Sequence, residues 1–191
     1  MGIKQHNGNT KADRLAELKI RSPSIQLIKY GAIGLNAIIF SPLLIAADLG
    51  SQNGTTITIS DGDRITGDTA DPSGNLYGVM TPAGNTPGNI NLGNDVTVNV
   101  NDASGYAKGI IIQGKNSSLT ANRLTVDVVG QTSAIGINLI GDYTHADLGT
   151  GSTIKSNDDG IIIGHSSTLT ATQFTIENSN GIGLTINDYG T

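Results

Sequence analysis

One stretch of this chain occurs twice, and any fold has to accommodate both copies. The first begins at Leu92 with LGNDVTV and continues through GIIIQG, SSLTANRLTVDV and AIGINLIGDYT. The second begins at Leu148 with LGTGSTI and continues through GIIIG, SSTLTATQFTIEN and GIGLTINDYGT. The offset between matched positions is 56 residues at Leu92 and Leu148, 51 at Gly109 and Gly160, and 50 at Leu124 and Phe174. Insertions therefore fall between the apolar segments and not inside them. A period of about 50 that absorbs insertions this way marks a repeat architecture.

The local period says what each repeat contains. Val96, Val98 and Val100 alternate with Thr97 and Asn99, and Leu124, Val126 and Val128 alternate with Thr125 and Asp127. Ile135, Ile137 and Leu139 are spaced by Gly136 and Asn138; Ile182, Leu184 and Ile186 by Gly183 and Thr185. Period two places apolar groups on one face of a strand and polar groups on the other. Gly, Asn, Asp and Ser between these segments supply turns. Short strands also build sandwiches and barrels, but those need no copies of one unit. The expected fold is all-β, a right-handed parallel β-helix in which each copy (about 92–147 and 148–191) forms two coils of roughly 25 residues. Inward residues of successive coils then stack in columns, which accounts for the pairing of Leu119 with Leu169, Val126 with Ile176 and Ile137 with Leu184. Residues 48–191 hold about six such coils. The chain reaches Thr191 without a polar cap, so it reads as the front of a longer protein.

Charge divides the chain. Residues 1–47 carry six Lys/Arg against two acids, and residues 48–191 carry five against fourteen. An acidic body without a basic stripe argues against nucleic acid as a partner. The absence of cysteine excludes disulfides, thiolate metal sites and a thiol nucleophile. The basic segment 1–30 is followed by an uncharged apolar run over 31–47 that ends in Ala46-Ala47. A basic region, an apolar core and a small-residue exit define a helical secretory signal peptide over 1–47, with cleavage between Ala47 and Asp48. An uncleaved anchor is the alternative, but the run is short and contains Pro42.

Few residues suggest chemistry. Asp158-Asp159, with His165 a few residues on, suggests the paired acids of β-helix polysaccharide hydrolases. Adjacent strand residues point to opposite faces, however, and a solvated turn explains the pair more simply. Asp61, Asp63 and Asp68 form an acidic turn without the calcium-binding β-roll repeat. His145 and His165 lack metal-ligand spacing with each other. No catalytic residue, metal site or cofactor is expected. The outward strand positions Thr97, Asn99, Thr125, Asn138, Thr175 and Thr185 instead form a candidate contact ladder of hydroxyl and amide groups.

The long basic leader, the Ala46-Ala47-Asp48 exit and the Gly/Asn/Thr-rich imperfect repeats together resemble the N-terminal part of an AIDA-type autotransporter adhesin of enterobacteria. The resemblance implies a signal peptide, a β-helical passenger beginning at residue 48, and a C-terminal translocator barrel that is absent from this chain. It implies non-enzymatic adhesion, aggregation or biofilm formation at the cell surface or outer membrane. It implies the export machinery and the barrel as partners, and surface ligands or self-association as contacts. An inert stalk and a polysaccharide-active enzyme are the competing expectations.

Overall fold

The computed structural model describes residues 46–164 and 166–187. Eighteen strands and no helix occur among them. The chain runs through three faces in strict rotation. Sheet A stacks β1 (Asp48–Leu49), β4 (Arg64–Gly67), β8 (Thr97–Asp102), β11 (Thr125–Gly130), β14 (Thr153–Ser156) and β17 (Thr175–Asn178). Sheet B stacks β2 (Gln52–Asn53), β6 (Leu76–Met80), β9 (Tyr106–Ile112), β12 (Ser133–Leu139), β15 (Asp159–Gly164) and β18 (Leu184–Asn187). Sheet C stacks β3 (Thr56–Ile59), β7 (Asn89–Asn94), β10 (Ser118–Asn122), β13 (His145–Thr150) and β16 (Thr168–Thr172). Pairing is parallel throughout, except where the short β5 (Thr69–Ala70) lies antiparallel to β6. This is a parallel β-solenoid of about five turns.

The register puts like on like. Ile57, Ile90, Leu119, Ala146 and Leu169 form one column, and Ile65, Val98, Val126, Ile154 and Ile176 a second. Val79, Ile110, Ile137, Ile161 and Leu184 form the third. The repeats matched in the sequence thus lie two coils apart, with Ala146, Ile154 and Ile161 between them. In mid-solenoid these side chains are fully buried, whereas Leu184, in the last of the described coils, is 40% exposed. A solenoid residue is covered by both neighbouring coils, so an end coil is covered on one side only. Full burial of each aliphatic stabilises by roughly 1.5–3 kcal/mol.

Two expectations change. There are five turns and not six, because the early coils are longer than 25 residues: Ile57 to Ile90 spans 33, and Ile154 to Ile176 spans 22. The excess lies at the corners, chiefly between β4 and β6, where Ile65 to Val79 spans 14 residues against 7 from Ile154 to Ile161. Strict alternation also fails in sheet B. Gly78, Gly109, Gly136, Gly160 and Gly183 occupy one column. A Cβ on Gly136 would meet Ile154 Cγ2 and the Gly160 carbonyl oxygen, so this position faces inward. Ile137 is inward as well. The strand therefore bends at the glycine and the phase slips by one. Ile135, and Ile182 two coils on, share an outward column with Lys108 and Asp159 instead of facing the core; Ile182 is 60% exposed.

The corner from sheet C to sheet A has one conformation in every coil. Gly62, Asp95, Arg123, Gly151 and Gln173 all have φ between 51° and 79°. The amide of each of the first four donates to a carbonyl of the following coil, as from Asp95 to Asn122 and from Arg123 to Thr150. A left-handed residue costs an L-amino acid roughly 1–2 kcal/mol, and this inter-coil bonding holds it in place.

Candidate functional site

With side chains stacked in register, each outward strand position becomes a stripe along the solenoid axis, so candidate surfaces follow from the columns. On sheet A, Thr97, Thr125, Thr153 and Thr175 form one outward column that begins at Asp48 and Arg64. Beside it run Thr66, Asn99, Asp127, Lys155 and Glu177. Lys155 Nζ contacts Glu177 Oε2 at 2.9 Å, and this hydrogen bond raises the lysine pKa. The Asn99 amide oxygen, turned toward Arg64, accepts from the guanidinium at 3.1 and 3.2 Å. Four of the six ladder residues, Thr97, Asn99, Thr125 and Thr175, thus share two adjacent stripes.

The other two lie elsewhere. Asn138 and Thr185 belong to one column of sheet B, Met80, Ile111, Asn138, Ile162 and Thr185. Asn138 alternates with inward Ile137 and Leu139, yet it is only 7% exposed, and its Oδ1 is buried without a hydrogen-bond partner. It offers no contact surface. Alternation assigns a residue to a face of the sheet, but it does not say whether that face meets solvent.

Sheet C carries a fuller ladder that the sequence reading passed over. One outward column is Thr56, Asn89, Ser118, His145 and Thr168; the other is Thr58, Asn91, Thr120, Asp147 and Thr170. Neighbours bond along the stripe: Ser118 Oγ donates to Asn89 Oδ1 at 2.9 Å, and His145 Nδ1 lies 2.7 Å from Thr168 Oγ1. The signal was present in the sequence as polar–aliphatic–polar triplets, TIT, NIN, SLT, HAD and TLT, recurring once per coil.

The acids that suggested chemistry are occupied in structure. Asp158 Oδ2 accepts from Ser133 Oγ in the preceding coil at 2.6 Å, and Asp159 Oδ1 accepts from the Ile182 amide in the following coil at 2.9 Å. Asp158 thus braces the preceding coil and Asp159 the following one, and an oxygen of each also lies beside Gly181. His165 lies outside the described residues. Asp61 accepts from the backbone and side-chain nitrogens of Asn94, and the backbone bond is the main reason its pKa is lowered. Asp68 accepts from the Ser51 amide, which lowers its pKa likewise. Asp63 is buried and accepts from the amides of Ala47 and Ser60 at 2.8 and 3.2 Å. Asp63 and Asp68 hold the start of the solenoid to β4 and the turns beside it, Asp61 ties the first coil to the next, and no group able to hold a metal ion occurs among the described residues. The expected leader lies outside the described residues except for Ala46 and Ala47. At its exit the Ala47 carbonyl accepts from the Arg64 amide at 2.8 Å, and Asp48 lies opposite Arg64 in register.

The fold and its stacked polar faces define a class, the parallel β-solenoid with an uninterrupted aliphatic core. No family model and no solved structure matches the chain. Over all 191 residues it is 97% identical to part of the "Probable autotransporter YcgV" of Escherichia coli strain K12, and spans 20% of that protein. It is also 97% identical, over its full length, to a YcgV protein of Escherichia coli O157:H7, of which it spans 35%. The chain spans between a fifth and about a third of the curated relatives it matches.

Proposed function

We propose that the chain is a segment of a surface-displayed autotransporter passenger that contributes to adhesion or aggregation without chemical turnover. In the full-length protein the passenger is exported and held at the outer membrane. The observation that carries this reading is the outer face of sheet C. Of its ten stacked outward side chains only His145 and Asp147 are ionisable, and the rest are Thr, Asn and Ser. A rigid, regularly spaced array of short donors and acceptors suits many weak simultaneous contacts, which gain by multivalency. The acids expected of a hydrolase are spent on bracing coils.

The test displays the chain on cells through a translocator barrel. Sedimentation is followed across a salt series, together with reducing-sugar release from a panel of polysaccharides. Clumping is expected, and it strengthens with salt, because the net charge of −9 over residues 48–191 is screened within about 10 Å at 0.1 M. Replacing Thr58, Thr120 and Thr170 by Ala weakens it; Asp158→Asn with Asp159→Asn leaves it intact. Sugar release abolished by that acid pair would establish an enzyme, and neither clumping nor release would establish a stalk.

A further inference from the structure

Ala47 joins the solenoid through both of its backbone groups. Its amide donates to Asp63 Oδ1 at 2.8 Å, and its carbonyl accepts from the Arg64 amide at 2.8 Å. Asp63 is 7% exposed, and its other oxygen accepts from the Ser60 amide. No Lys or Arg of the described residues forms an ion pair with it. Buried carboxylates are normally matched by a cation, because neutral donors offset only part of the lost hydration. Here the atom nearest in line to supply a positive charge is the nitrogen of Ala47.

We propose that processing cuts the Ala46–Ala47 bond and that the freed ammonium of Ala47 pairs with Asp63, latching the first coil. The inference rests on the export reading above, and it moves the cut one residue from the Ala47–Asp48 junction expected from sequence. Water adds across the peptide bond, which is opened by a signal-removing endopeptidase. Ala46 leaves as a carboxylate, and the Ala47 nitrogen takes up the proton to become an ammonium. The sequence does not choose between the two junctions. Each offers Ala at the last leader position and a branched aliphatic two residues earlier, Leu44 in one case and Ile45 in the other.

The fold does choose. A cut after Ala47 removes both of its backbone bonds and leaves Asp63 Oδ1 without its donor. A cut after Ala46 keeps both bonds and turns one into a charge-assisted contact of the stronger kind. Ala46 and Ala47 are both exposed, so the folded coil accepts a terminus there without burying new groups. Of the other acids near this edge, Asp48 lies opposite Arg64 in register and Asp61 accepts from Asn94.

The full chain is expressed in an exporting bacterium, and the periplasmic product is read by intact mass and N-terminal sequencing. The expected product begins at Ala47. A product beginning at Asp48 overturns the inference but leaves export standing, whereas a chain retaining the leader overturns both. The α-amine of the processed chain is then titrated by pH-dependent acylation. Its pKa is expected about one unit above the ordinary value of about 7.7–8.0, and at the ordinary value in Asp63→Asn. A raised amine pKa stabilises below the unfolded value, and the gain is lost as pH rises through the folded value. Should the variant not fold, the native and denatured wild-type amines are compared; equal values overturn the latch.

Discussion

The glycine column of sheet B sets the closeness with which coils stack, and Gly136→Ala measures it. An alanine methyl at this position lies 2.5 Å from the Gly160 carbonyl oxygen and also meets Ile154 Cγ2. Carbon contacts are optimal at about 3.5–4.0 Å, so neighbours must retreat by about 1 Å. The isoleucine methyl yields by a change of rotamer; the carbonyl belongs to the next coil and moves only with its strand. A retreat of that size stretches hydrogen bonds of about 2.9 Å beyond the effective range. Losing two or three at about 1 kcal/mol each, against about 0.8 kcal/mol gained by burying a methyl, leaves a loss of about 1–2 kcal/mol. The control is Gly164→Ala, whose Cβ has ordinary contacts at 3.6 and 3.7 Å to the Asn187 and Leu139 carbonyls and is expected to be nearly neutral. Urea unfolding followed by circular dichroism compares the two. If Gly136→Ala unfolds within about 0.5 kcal/mol of Gly164→Ala, the reasoning about coil spacing is wrong.

Asp71 predicts an acid dependence. Burial pushes its carboxyl up, but hydrogen bonds from the Asn75 side chain and backbone, and then Lys108, overrule it and bring the pKa to about 2. A depressed pKa stabilises above the unfolded value, so wild type should melt above Asp71→Asn at pH 5–7, by roughly 1–2 kcal/mol, and the gap should close between pH 4 and 2. Asn138→Leu should stabilise by about 1 kcal/mol, because it replaces a buried oxygen without a partner by a side chain matched to its column neighbours Ile111 and Ile162; thermal melts decide it. Asn138→Asp should lower the same melting temperature, because it places a carboxylate in that site.

Much of the fold was legible in the sequence because a solenoid repeats its inward choices. Val98, Val126 and Ile176 report one column, and the repeat offset reports two coils. What escaped notice depends on backbone conformation. Asp95, Arg123 and Gln173 adopt the left-handed corner that Gly62 and Gly151 announce, and inter-coil bonding forces them there against their own preference. The inward Gly136 shifted the phase of its strand, so Ile135 read as core and is not. The contact surface was harder to read, because outward and exposed are different properties. Asn138 is the first without being the second, while the sheet C triplets are both and were hidden by their plainness.

Parallel in-register stacking has a mechanical consequence. The hydrogen bonds between coils run along the solenoid axis, so tension applied from end to end loads them one coil at a time and not all together. Each coil that peels away replaces a rise of about 4.8 Å with a released contour near 3.4 Å per residue. For the 28 residues from Val98 to Val126 that is about 95 Å. A solenoid built this way yields under tension in small, separate steps and takes up load gradually. Single-molecule stretching would show the steps directly.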